Sequence, residues 1–482
     1  MRIPNRRYIL LFLTAVIVVT VSCKKGYLEV EPKGALIAKA TQDYEALLNT
    51  TKVDPSTAAG FLGDEVAAQQ SYFGGASVYR QRLFKYIGDA LLPDDLPEMG
   101  YLKSNYAFNK IIEEIDASTG GTEQQKAQIM AEAKVGRAVC HLLFLNDFGK
   151  PYNEATAATD WGVPIITAAD VTKTDYKRAT VKEVYEFIIN DITEALPNLS
   201  KPFSHSLKIS KPAAEGILAR VYLYMHNYTA SREHLDKAFS ALTGATKPVG
   251  LYDYNVTLSP DGTWQPADPA YFGPALMPNS FLGEDQESIL NMSLSTFYIG
   301  SANAFVCRPE VAALYDPSDF RLQIYSNTEL FGTVIFPNGM RRYPRFSAEV
   351  GICLPDMYLM RAELKARAND LAGAKADVEL LRANRMPAAA AAVPAGIAAN
   401  QQQLVRFILE ERIREFALKG MRWYDVRRLS TDPVYSNTIN YTHKLYSVTG
   451  DVVESYTLTP ERLVLKFGRK LTSQHPLLIE NP

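Results

Sequence analysis

This sequence of 482 residues has no excess of charge of either sign: 51 Lys and Arg stand against 53 Asp and Glu, a formal net charge of -2. No basic block occurs beyond the first few positions, so the footprint of nucleic acid or another polyanion is missing. Cysteine is scarce, at positions 23, 140, 307 and 353 only, which excludes a disulfide framework. The six histidines, His141, His205, His226, His234, His443 and His475, are scattered, with no HExxH and no Cys/His pair at zinc spacing. GxSxG and Walker patterns are missing too, so no metal, cofactor or catalytic constellation is expected. Asp94 and Asp95 adjoin each other in "PDDLPE", but adjacency says nothing about the ~5 to 9 Å separation that sugar hydrolysis needs.

What is present is a globular composition, 47% hydrophobic and 22% charged, enough for one large core or two moderate ones. The start reads "MRIPNRRYILLFLTAVIVVTVSC": three arginines, then an apolar run from Tyr8 to Val21, as in an export signal. At about 1.5 Å per residue that run reaches roughly 21 Å, short of the ~30 Å hydrocarbon core of a bilayer. A cleaved signal over 1–22 is therefore expected rather than a permanent span. Val21, Ser22 and Cys23 resemble a bacterial lipobox, although Thr20 stands where Leu is usual. The resemblance implies lipidation of Cys23, with ordinary signal cleavage as the alternative. If Cys23 carries lipid, Cys140 reads as a small buried hydrophobe and a Cys307–Cys353 bridge is left open.

Helical periodicity is explicit in "ATVKEVYEFIINDITEALPNL", where Val181, Val184, Tyr185, Ile188, Ile192 and Leu196 share a face. Thr180 and Glu183 form a capping box, and Pro197 stops the run. Thr122 and Gln125 could cap a second helix, apolar nearly all round in its latter half until Gly149. His141, on that helix, reads as a core histidine. Residues 212–239 and 355–381 each open on Pro, run to a polar break and resume. Aligning Asn227-Tyr228 with Asp370-Leu371 sets Leu235 opposite Val378 and Ala238 opposite Leu381. Both look like tetratricopeptide-type helix pairs, too far apart for a tandem array. The expected fold is thus mainly α, a helix-pair scaffold in a single domain over 23–482. Long irregular insertions interrupt it at about 52–100 and 244–350, with minor β hairpins, one of them turning at Thr449-Gly450-Asp451.

The densest run of charge is "LVRFILEERIREFALKGMRWYDVRRL". As a helix it places Val405, Leu409, Ile413, Phe416 and Gly420 on one stripe, with Gly420 at the stop. Glu410 to Arg414 and Glu415 to Lys419 then read as surface i, i+4 pairs. Glu411, Arg412, Arg422 and Asp425 remain for buried or capping pairs, which makes the stretch scaffold rather than active site. It also resembles the near-C-terminal signature of SusD/RagB-type lipoproteins, through Glu411, Arg412, Glu415, Gly420, Arg422, Trp423, Asp425 and Arg428. "AEAKVGRAVCHLLFLNDFGKPY", "WGVPII", "SKPAAEGILARVYLYMHNY", "LYDPSDFRL" and "LPDMYLMRAEL" follow the family's order along the chain. Lys419 departs from the usual Glu, Cys140-His141 from frequent aromatics, and the C-terminal end lacks the usual P-I-P turn.

The resemblance implies a non-enzymatic, lipid-anchored outer-membrane protein facing the cell surface, with no cofactor. Its partners would be a SusC-like TonB-dependent transporter and an oligosaccharide, or in some branches a peptide. A helical-repeat adaptor without ligand is the remaining alternative. Sugars offer apolar C–H faces and a rim of hydroxyls, so capture calls for aromatic rings beside hydrogen-bonding groups. Trp264, in the long insertion, is the first candidate contact; Tyr72, Phe73, Tyr79 and Arg80 in "QSYFGGASVYR" follow, then Tyr271 and Tyr298.

Overall fold

The computed structural model describes residues 38–200, 202–264, 274, 277, 278, 283–296 and 302–482. The signal segment, Cys23, Tyr271 and Tyr298 lie outside these residues. The fold is mainly α-helical. Helices α1 (Thr41–Thr50), α2 (Val78–Phe84), α3 (Gly100–Glu114), α4 (Glu123–Phe148) and α5 (Val181–Ala195) come first. Then follow α6 (Lys211–Tyr224) with α7 (Tyr228–Ala241), α8 (Leu354–Arg367) with α9 (Leu371–Ala383), α10 (Gln401–Phe416), α11 (Met421–Ser430) and α12 (Arg469–Gln474).

Both capping boxes form. Thr122 Oγ1 accepts from Gln125 N at 3.1 Å and Gln125 Oε1 from Thr122 N at 2.9 Å; Thr180 and Glu183 repeat the exchange at 3.2 and 2.7 Å. Each box satisfies two amides that the first helical turn leaves open. From Val135 to Phe148 every residue of α4 is buried, because α3 packs on one side and α5 on another. Gly136 permits the close approach: a Cβ there would stand 2.4 Å from the Phe108 ring of α3. His141 is a core histidine, its Nδ1 2.9 Å from Arg137 O while Nε2 accepts from Ile166 N at 3.0 Å. Burial, the largest influence on it, lowers its pKa to about 4, so the ring is neutral.

The two similar helix pairs are alike in detail. Asn227 caps α7 by accepting from Ala230 N, and Asp370 caps α9 by accepting from Gly373 N. The residue before each cap, His226 or Asn369, takes a left-handed conformation (φ 59° and 62°), reversing the chain at the same point. Leu235, Ala238, Val378 and Leu381 are fully buried, and the second helix of each pair is clamped to the first by a polar contact at one aligned position. There His234 meets Glu215 at 2.7 Å, and Asp377 meets Arg361 and Lys365 at 2.6 and 2.7 Å.

The two insertions join in a four-stranded sheet of order β4-β1-β7-β8. It comprises β1 (Val66–Gln69), β4 (Phe305–Cys307), β7 (Thr442–Tyr446) and β8 (Val452–Thr457), with β1 antiparallel to β4 and parallel to β7. The expected hairpin is β7–β8, and Gly450 has φ 91° in its turn. The β-like run after Glu287 splits into β2 (Ser288–Leu290) and β3 (Ser293–Ser295), which pair with β6 (Ile352–Cys353) and β5 (Ser347–Glu349). Cys307 on β4 and Cys353 on β6 sit in different sheets; both are free and buried, so the bridge left open does not form.

The charge-dense stretch departs from its reading in two ways. Its first helix ends at Phe416, not Gly420, because tyrosines from the second insertion complete its last turn: Tyr315 donates to Arg414 O at 2.7 Å and Tyr325 to Ala417 O at 2.9 Å. Leu418 (φ 58°) takes the left-handed step, and Gly420 (φ 82°) precedes α11, where a Cβ would come within 2.5 Å of Leu294 Cδ2. The charges are also not surface pairs. Glu410 and Arg414 do meet, at 3.5 Å, but Glu415 bonds Arg321 and Arg385 at 3.0 Å each, while Lys419 Nζ donates to the Glu415 carbonyl. Glu411 holds Arg321, Arg382 and Arg414 at 2.6 to 2.7 Å. Arg412 bridges Asp356 and Asp425, Arg428 bridges Asp425 and Glu363, and Arg422 closes on Asp64. Burial alone would raise Glu411 and Glu415, but the surrounding guanidinium charges outweigh it and hold both at about 2. With the pairs on Asp356, Glu363, Asp425 and Asp64, these buried contacts tie α8, α9, α10, α11 and both insertions together.

Candidate ligand-binding site

The aromatic segment after β1 is shaped by a helical turn at Gln70–Phe73, which aims Phe73 inward. Its ring is buried edge-on to Phe84 and Phe305, with centroids 5.3 and 5.9 Å away, so Phe73 is core rather than the exposed platform that neighbouring glycines suggested. Tyr72 is half-buried and its hydroxyl donates to Glu329. Arg80 lies half-buried with its guanidinium 5.6 Å from the Phe61 centroid. Trp264 is 5% exposed, packed edge-on to Tyr252 and Tyr254 in a second core cluster. Two neighbouring tyrosines close over that indole, and only part of it borders a recess of about 90 Å³. Of the described candidates, Tyr79 alone lines a cavity between the first insertion and the C-terminal segment.

That cavity holds about 520 Å³, within the range that takes small ligands. One wall is α2 and the turn after it, residues 86–93; the other is the stretch 462–472. Ser77 caps α2, accepting from Arg80 N, and Tyr86 (φ 53°) reverses the chain at its end. Tyr86 can hold that conformation because its ring stacks on His443 at 4.3 Å and its hydroxyl meets His443 Nε2 at 2.7 Å. His443 Nδ1 lies 2.8 Å from Phe84 O and Nε2 2.8 Å from Gly63 O, so the imidazole is held between two backbone carbonyls as well as against the Tyr86 hydroxyl. Burial lowers the pKa of His443. Leu62, Leu83, Leu91 and Val464 make the apolar floor.

Polar groups converge on the rim: Tyr79, Arg82, Arg462, Lys466 and Arg469. Burial, reinforced by the charges of Glu98 and Asp147, raises the Tyr79 pKa, leaving a neutral hydroxyl. Arg82 Nη1 donates to the carbonyls of Asp89 and Leu91, at 3.2 and 3.5 Å, and fixes the 86–93 turn. The Arg462 guanidinium lies against Gly88, where a Cβ would stand 2.3 Å from it, and Nη1 donates to Pro482 O at 2.9 Å. Lys466 reaches the exposed Asp89 at 3.4 Å. Glu480 accepts from the amides of Phe467 and Gly468 at 2.8 Å each, which braces the opposite wall. Among the described residues no group of three or more His, Cys, Asp and Glu could hold a metal ion. Hydrogen bonding, ring stacking and charge attraction are what these side chains can offer.

Sequence reading missed Arg82, Arg462, Lys466 and Arg469. The spacing of cations in "ERLVLKFGRK" was the available signal, but nothing local tells that it faces a turn some 380 positions earlier.

A family model described as "Starch-binding associating with outer membrane" matches residues 27–223, and the SusD family model matches residues 350–469. No curated protein matches the sequence. Among solved structures, a SusD superfamily protein of Bacteroides thetaiotaomicron VPI-5482 is similar with a TM-score of 0.67 at 18% identity, over 92% of this chain and 100% of that one. A SusD-like carbohydrate binding protein of Bacteroides vulgatus ATCC 8482 gives 0.62 at 16%, over 91% and 97%. A laminarin binding SusD-like protein gives 0.57 at 16%, over 92% and 99%. The fold is shared from end to end, and with both models in order along it the chain belongs to the SusD/RagB family.

Proposed function

We propose that this protein is a non-enzymatic binding subunit of a nutrient importer. It is exported by the segment 1–22, lipidated at Cys23 and held on the outer membrane facing the cell surface. There it captures an oligosaccharide and passes it to a SusC-like TonB-dependent transporter. Family membership supports the class of function, and the cavity of about 520 Å³ supports a ligand: Tyr79 presents a ring and a neutral hydroxyl beside an apolar floor and a polar rim. A pyranose has the complementary surface, apolar on its faces and hydroxylated at its edge. Tyr72 and Arg80, half-buried on the same insertion, are proposed as secondary contacts.

Protein lacking residues 1–23, titrated by calorimetry against a panel of glycans and peptides, is expected to bind glycan. Tyr79→Ala should weaken that binding about tenfold in the folded fraction, the loss of one ring contact being on the order of 1 to 2 kcal/mol, and should also lower the melting temperature because the ring packs on the core. Binding to peptides alone would shift the substrate class. Binding to none would leave an adaptor, and release of any product would overturn the non-enzymatic reading.

A further inference from the structure

We propose that the cavity beside Tyr79 takes an acidic saccharide, one carrying a carboxylate or a sulfate. This rests on the sugar-binding reading above and narrows it. Over the whole chain the charges nearly cancel, but that balance is not uniform. In the scaffold six arginines are matched to carboxylates: Arg321, Arg382, Arg385, Arg412, Arg422 and Arg428 each lie within 3.0 Å of at least one Asp or Glu, while Arg427 is buried against main-chain carbonyls. Around the cavity the matching fails. Four cationic side chains, Arg82, Arg462, Lys466 and Arg469, line it against two anionic ones, Asp89 and Glu480.

The two anionic side chains are placed differently from the cations. Asp89 is 84% exposed in its side chain and meets Lys466 at 3.4 Å, a pair that water and salt screen. Glu480 is engaged by two backbone amides of its own wall. Arg82 donates to main-chain carbonyls, which set its position without adding a carboxylate partner, while Arg462 donates to an oxygen of the C-terminal residue Pro482. Arg469 is exposed on the rim. Guanidinium groups bind carboxylates and sulfates through paired, charge-assisted hydrogen bonds, so the rim is suited to an acidic substituent while the Tyr79 ring takes the sugar face. Gly88 contributes by omission: its missing side chain is what lets the Arg462 guanidinium rest against the turn.

The test is calorimetry of the full mature chain with three oligosaccharides of equal length, one neutral, one carboxylated and one sulfated, in about 50 mM and about 500 mM salt, where charge screening is weak and strong. An acidic ligand should bind at least about tenfold more tightly than the neutral one in low salt, with that ratio falling towards one in high salt. The Arg462→Gln/Arg469→Gln variant should abolish the ratio in low salt; whichever acidic ligand has the larger ratio identifies the substituent. Gly88→Ala, which displaces Arg462 without requiring a left-handed backbone, should reduce the ratio as well. Neutral and acidic ligands binding equally, with no salt effect on wild-type protein, would overturn the inference and leave sugar binding intact. Failure of every saccharide to bind would overturn both.

Discussion

Glu65 follows Asp64 directly, yet the two carboxylates have opposite surroundings. Asp64 accepts from Arg422 Nε and Nη2 at 2.6 and 3.0 Å and from Asn440 N at 2.8 Å. Glu65 is fully buried, and neither of its carboxyl oxygens has a hydrogen-bond partner among the described residues. Burial pushes its pKa up to about 8, and the charge of Asp64 adds to that effect. The folded chain therefore keeps the proton that the unfolded chain loses near 4.5, and the stability cost accumulates as pH rises from about 4.5 to about 8. Glu65→Gln keeps the shape and removes the charge. It is expected to stabilise the protein at pH 8, by up to about 4 kcal/mol, and to be nearly neutral at pH 4.5. Melting curves at the two pH values check this; equal effects at both would show that ionisation of Glu65 is not what the fold resists. Nothing in the sequence separates Asp64 from Glu65, since the difference is which one faces Arg422.

At the scale of elements, α10 and α11 are joined to the rest both through the apolar core and through guanidinium groups. Arg412 on α10 reaches Asp356 on α8 and Asp425 on α11. Arg412→Ala would leave two buried carboxylates each short of one partner, a loss expected to cost about 3 to 5 kcal/mol. Trp423→Ala, at a position 1% exposed, should cost a comparable amount by opening a cavity. Chemical denaturation should register both losses, with glycan affinity of the folded fraction unchanged; intact stability with lost binding would make this stretch part of the ligand site. The apolar stripe and the scaffold role of these helices were legible because periodicity operates within a few residues. Their junction was not, since the last turn of α10 is completed by Tyr315 and Tyr325, about 90 to 100 positions earlier in the chain. The capping boxes of α4 and α5 were legible for the opposite reason, each being complete within four residues.

For the whole molecule, the proposed anchor separates attachment from folding. Cys23→Ala is expected to abolish lipid labelling and move the protein from the membrane to the soluble fraction, while its far-ultraviolet dichroism and glycan affinity match those of the lipid-free mature chain. Continued membrane attachment would contradict lipidation at Cys23. The sequence by itself determined the mainly α class, the helix starts and the matched pairs α6–α7 and α8–α9, because caps, reversals and apolar stripes are encoded by neighbours. It also determined the family, through a signature whose residues stand close together. Tertiary structure alone decided that most acids and bases of that signature are buried against one another, that Phe73 and Trp264 pack inward, and that Tyr79 lines a cavity of about 520 Å³. The physical reason is sequence separation. The cavity exists where residues 79–93 meet residues 462–472, and its four cationic side chains come together only when those two segments, each unremarkable alone, are brought face to face.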